Sequence, residues 1–112
     1  IGQFFLRAFD PKTGKRVWEY PMTGPGESWA GTVSTAGGVI FFGDDDGQLV
    51  GVDAKTGKHL WHFQMGEGLT ASPITYSVGG KQFVAIASAT AIFSFGLHEP
   101  AQSVPLPKFK VE

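Results

Sequence analysis

The sequence predicts an all-β fold, an arc of a β-propeller built from four-stranded blades. Three observations predict it. An eleven-residue segment occurs twice, as AFDPKTGKRVW at residues 8–18 and GVDAKTGKHLW at residues 51–61, with an offset of 43 residues. Each copy is centred on turn residues flanked by short β-type segments, and no long stretch lacks Gly or Pro, so helix signals are weak. The composition agrees, with 16 Gly, ten Phe and three Trp among 112 residues. A period of about 40–45 residues also fits paired-helix repeats. The β-type flanks decide in favour of blades.

The elements follow in order. Phe4–Phe9 and Val17–Met22 flank Asp10-Pro11-Lys12-Thr13-Gly14. In that turn Asp can accept from the backbone ahead of it, Pro presets φ, and Gly takes the left-handed closing position. Val39–Gly43 and Gln48–Val52 flank Asp44-Asp45-Asp46-Gly47, a second hairpin. Asp53-Ala54-Lys55-Thr56-Gly57 repeats the first turn and leads into Leu60–Met65. Ile74–Val78 and Gln82–Ala87 are joined by Gly79-Gly80, and Ala91–Phe95 is a last strand. The count is eight or nine strands over residues 1–98. Residues 99–112, with Pro100, Pro105 and Pro107, read as an extended surface tail.

Composition excludes several classes. Nine Lys+Arg against ten Asp+Glu give a net charge of −1, so nothing favours nucleic acid or an anionic membrane surface. Only 17% of residues are charged and 42% are hydrophobic, which is not the profile of a disordered chain. Without cysteine there is no disulfide framework, no thiolate metal site and no Cys-x-x-Cys-His heme attachment. The uncharged run Phe83–Leu97 is interrupted by Ser88, Thr90 and Ser94 and is too short for a membrane span of about 20 residues. Two repeat copies and part of a third cannot close a ring of at least about four blades. The chain therefore reads as one segment of a longer propeller.

Three stretches resemble the pyrroloquinoline quinone (PQQ)-dependent dehydrogenases, eight-bladed propellers. Ala8-x-Asp10-x-x-x-Gly14-x-x-x-Trp18 resembles their tryptophan-docking motif, with Gly51 in place of Ala in the second copy. Ser28-Trp29-Ala30-Gly31-Thr32 through Thr35-Ala36-Gly37-Gly38 and on to Gly43-Asp44 resembles the run before their last complete blade. Ser72-Pro73-Ile74-Thr75-Tyr76 through Gly80-Lys81-Gln82-Phe83-Val84-Ala85 resembles their C-terminal strand pair. The resemblance spans residues 2–97. It implies the C-terminal arc of an eight-bladed propeller and part of a periplasmic enzyme oxidising alcohols or sugars. Its cofactor would be PQQ, with calcium or a lanthanide bound by residues outside this segment. The implied partners are the remainder of the propeller chain and an electron acceptor such as a cytochrome or quinone.

The resemblance also implies site residues. Trp29 would reach PQQ through its indole N–H, a single donor on a rigid apolar body. Ala30 beside it contributes only backbone, and Ala89, in the loop Ser88-Ala89-Thr90, would bring a backbone amide to the cofactor. No catalytic or metal-binding residue of the family falls in this chain, so turnover by the segment alone is not expected.

Other features read as structural. Trp18 and Trp61 are packing residues by repeat logic. Asp44-Asp45-Asp46-Gly47 lacks the alternation and closing Glu of a calcium loop and reads as a solvated turn. His59 and His62 are expected on opposite faces of a strand, unable to share a metal, and His98 stands alone. Thr23-Gly24-Pro25-Gly26-Glu27 lacks the strand-then-helix context of a phosphate loop. The alternatives are a non-catalytic propeller scaffold or sensor, and a small sandwich that folds alone or assembles into a ring from several copies.

Overall fold

The Asp-to-Trp repeat is a hairpin closed identically in both copies. In the computed structural model, which describes residues 3–22, 30–44, 46–66, 69 and 71–97, Oδ1 of Asp10 accepts the Lys12 N–H at 2.8 Å, and the Asp10 carbonyl accepts the Gly14 N–H at 2.7 Å. Asp53 does the same for Lys55 at 2.8 Å and Gly57 at 2.8 Å. Thr13 and Thr56 each accept the N–H two residues on, from Lys15 and Lys58, both at 3.2 Å. Gly14 and Gly57 have φ of 70° and 73°, the left-handed region that a side chain disfavours. Asp, Thr and Gly are thus identical between the copies because each supplies a bond or a backbone angle to the same turn.

Nine strands arise around these turns: β1 Phe5–Phe9, β2 Arg16–Pro21, β3 Thr32–Ser34, β4 Val39–Gly43, β5 Gln48–Asp53, β6 His59–Gln64, β7 Ile74–Val78, β8 Lys81–Ala87 and β9 Ile92–Gly96. They form three antiparallel sheets in sequence order, β1-β2, β3-β4-β5-β6 and β7-β8-β9. The middle sheet is one complete four-stranded blade. Sequence reasoning had not singled out β3, whose three residues carry too short an alternation to stand out.

The middle sheet is packed on both faces. Alternation along β5 sends Val50 and Val52 to one side and Leu49 to the other. Val50 and Val52 join Phe42 and Trp18, with Leu6, Ala8 and Tyr20 of the first sheet packed against them. Leu49 joins Leu69, Val84 and Ile86, with Phe93 and Phe95 of the third sheet alongside. Four consecutive residues of β5, from Leu49 to Val52, are buried for this reason. Three sheets stacked face to face through two cores are the packing of consecutive blades in a propeller, as the period predicted.

Candidate functional site

The first inter-sheet contact is an indole dock. Trp18, near the middle of β2, is 8% exposed and donates its Nε1–H to the Ala54 carbonyl at 2.9 Å. Ala54 lies in the turn after β5, so the Trp of one repeat copy binds the turn of the next. Trp61, the equivalent residue, lies between the second and third sheets. Its ring meets Phe41 at 6.2 Å and Phe95 at 5.1 Å, both edge-on. It is 37% exposed. The turn equivalent to Asp53–Gly57 would follow β9, and residues beyond Leu97 lie outside the described residues. Trp61 with Val39, Phe41, Val84, Phe95 and Leu97 lines an apolar groove of about 650 Å³.

Ala30 and Ala89, expected at the cofactor, lie at the other end of the sheets. Trp61 meets Phe95 and Phe63 meets Phe93, so β6 and β9 run antiparallel, with the end of β6 beside the start of β9. The Gly43–Gln48 turn and the Ser88–Ala91 turn consequently share one end. Ala30, half-buried, points its methyl into the core: a β-carbon on Gly43 would come within 2.6 Å of the Ala30 Cβ and 3.2 Å of the Leu69 Cβ. Only backbone remains for Ala30 to offer. Ala89 sits exposed in a turn tied by Ser88, whose N–H donates to the Ala91 carbonyl at 2.8 Å and whose Oγ accepts the Ala91 N–H at 3.1 Å. Trp29, the Gly-rich stretch 23–27, His98 and the tail 99–112 lie outside the described residues.

Two readings are corrected. His59 and His62 share a face: His59 Nε2 lies 2.9 Å from His62 Nδ1. The register shifts between Gly51 and Val52, so that Gly51 pairs Trp61 while Val52 pairs His59. Leu60 is the extra residue of a β-bulge, and the bulge inverts the alternation on which the opposite-face expectation rested. The first copy carries the same shift between Ala8 and Phe9, which marks the bulge as part of the repeat. The second correction concerns the acidic turn. Asp46 is exposed, whereas Asp44 is 1% exposed. Its Oδ1 accepts the Asp46 N–H at 3.4 Å and its carbonyl accepts the Gly47 N–H at 3.1 Å. Tyr20 of the first sheet feels that carboxylate. Burial first, and the Asp44 charge second, push its phenol above the ordinary 10.0.

Known proteins share this architecture. Residues 4–96 match the family described as "Outer membrane protein assembly factor BamB". The quinoprotein alcohol dehydrogenase PedE of Pseudomonas putida is 47% identical over 81 residues, 72% of this chain and 12% of PedE. The lanthanide-dependent methanol dehydrogenase of Methylacidiphilum fumariolicum is 43% identical over 98 residues, 87% of this chain and 15% of the relative. The crystal structure of the quinohemoprotein alcohol dehydrogenase from Comamonas testosteroni superposes with a TM-score of 0.68 at 40% identity, covering 75% of this chain and 12% of that one. The chain spans roughly an eighth of the length of these relatives.

Proposed function

The chain belongs to the PQQ-dependent dehydrogenase family, and on that premise we propose that it forms one arc of an eight-bladed propeller in a periplasmic enzyme oxidising alcohols or sugars. The observation that carries the reading is the Trp18–Ala54 dock. It joins two sheets as consecutive blades, one blade is complete, and its neighbours hold two and three strands. The edges of β1 and β9 are left for strands beyond the described ones.

The segment's part is a stretch of cofactor pocket wall. Short residues at the end of the sheets that carries Ala30 and Ala89 leave backbone to face a flat quinone. Trp29 would add an indole N–H donor next to Ala30, whose methyl lies close to the Gly43 and Leu69 positions. PQQ, when bound, would supply a two-electron acceptor for alcohol oxidation, with calcium or a lanthanide as its Lewis acid. The metal would be held by residues outside this segment. The partner would be an electron acceptor such as a cytochrome or a quinone. No helix among the described residues is long and apolar enough to cross a membrane.

The family description that names an assembly factor favours a second reading, a scaffold propeller with the same docks. One experiment separates the two. The full-length protein carrying this chain is loaded with PQQ and calcium or a lanthanide, and Trp29→Phe is compared with wild type. The expected results are quinone absorbance bound to the wild type, alcohol-dependent dye reduction, and at least tenfold weaker PQQ retention in the variant. A protein that retains no PQQ overturns the enzyme reading; equal retention by both overturns the role of Trp29.

A further inference from the structure

The outer strand of the complete blade carries two imidazoles in contact. The bulge at Leu60 puts His59 and His62 on one face, with Nε2 of His59 2.9 Å from Nδ1 of His62 and ring centroids 5.0 Å apart. In the first repeat copy the equivalent positions hold Arg16 and Glu19, joined as an ion pair at 2.7 Å. The repeat thus offers a fixed place for two facing side chains. The first copy fills it with opposite charges, and the second with two nitrogen donors.

We infer that His59 and His62 form a two-imidazole chelate for a borderline divalent cation: copper(II), nickel(II) or zinc(II). At 2.9 Å only one proton lies between the facing nitrogens, so one of them always presents a lone pair. A metal displaces that proton and takes both lone pairs, leaving His59 protonated at Nδ1 and His62 at Nε2. With metal–nitrogen bonds of about 2.0–2.1 Å, nitrogens 2.9 Å apart subtend about 90° at the ion. That is the cis angle of square-planar and octahedral coordination, which copper(II) and nickel(II) prefer. A tetrahedral zinc ion requires the nitrogens to part by about 0.5 Å. The ring of His59 is held in place by Tyr20, stacked at 6.5 Å with planes 20° apart. Both histidines are exposed, which leaves the remaining coordination positions to water. The ion bridges Leu60 and clamps the bulge beside Trp61.

Copper(II) sulfate titrated into the full chain at neutral pH tests the site. The expected result is one saturable equivalent with a visible d–d band and electron paramagnetic resonance hyperfine structure from two nitrogens. His59→Gln and His62→Gln each weaken binding at least tenfold, the double variant adds little to either, and His98→Gln leaves binding unchanged. Binding as tight as wild type in either His59→Gln or His62→Gln overturns the assignment. So does a wild-type spectrum with a single nitrogen, which needs no variant to fold.

Discussion

A β-carbon added to Gly57 would lie 2.5 Å from Cε3 of Trp18. The indole of one blade therefore rests directly on the turn backbone of the next, and its N–H reaches Ala54 on the same turn. Gly14 occupies the identical turn one repeat earlier with nothing within 4 Å of its would-be side chain. Within this chain, two glycines with φ of 70° and 73° thus differ in whether an indole covers them. Both Ala variants meet the left-handed penalty of about 1–2 kcal/mol. Gly57→Ala must also push Trp18 out of its dock, at a further cost of about 1–3 kcal/mol. Urea unfolding followed by tryptophan emission measures the gap; equal losses for Gly14→Ala and Gly57→Ala would contradict the dock.

The two tryptophans should respond unequally. Trp18→Phe removes the bond to Ala54 and part of a buried ring, a loss of about 2 kcal/mol or more. Trp61→Phe exchanges one aromatic for another in a groove that already leaves 37% of the residue exposed, and about 1 kcal/mol is expected. Denaturant midpoints of the two variants give the comparison, and a larger loss for Trp61→Phe would reverse the assigned order.

How far the sequence carried this reading follows from where each cause sits. The Asp10, Thr13 and Gly14 turn and its copy were legible because every partner lies within five residues. Strand order followed, since each hairpin joins neighbours. The shared face of His59 and His62 was not legible, because face assignment assumes two-residue alternation and the bulge at Leu60 breaks it. In both copies three residues lie between Gly and Trp, and in the first the pairs Ala8–Trp18 and Phe9–Arg16 advance unequally on the two strands. Burial of Asp44 escaped for another reason. Its neighbour Tyr20 comes from a different sheet, a contact that no local pattern encodes. Trp29, Ala30 and Ala89 came from family resemblance rather than from any chemistry in their spacing.

Ala30 and Gly43 make a complementary pair. Gly43→Ala brings two methyl groups within 2.6 Å and crowds Leu69, so a loss of about 1–3 kcal/mol is expected. Ala30→Gly in the same chain opens the space and restores much of it. A double-mutant cycle of unfolding free energies should show a coupling of at least about 0.5 kcal/mol. Strict additivity would mean that Ala30 does not face Gly43 and that this end of the sheets is arranged differently.

Alkaline stability should report on Tyr20. Its phenol is raised above 10.0 by burial and then by the Asp44 carboxylate, so the folded chain holds this proton more tightly than the unfolded chain. Below the ordinary tyrosine value the group is protonated in both states and its contribution is fully present. As pH rises past that value, the unfolded phenol ionises first and stability falls, until the folded phenol ionises as well. Tyr20→Phe removes the ionisation, and its urea midpoint should decline less steeply than wild type between about pH 9 and pH 11. Asp44→Asn removes only the smaller cause, so its Tyr20 should titrate between wild type and an exposed tyrosine by tyrosinate absorbance. An Asp44→Asn phenol that titrates like free tyrosine would make charge, rather than burial, the dominant cause.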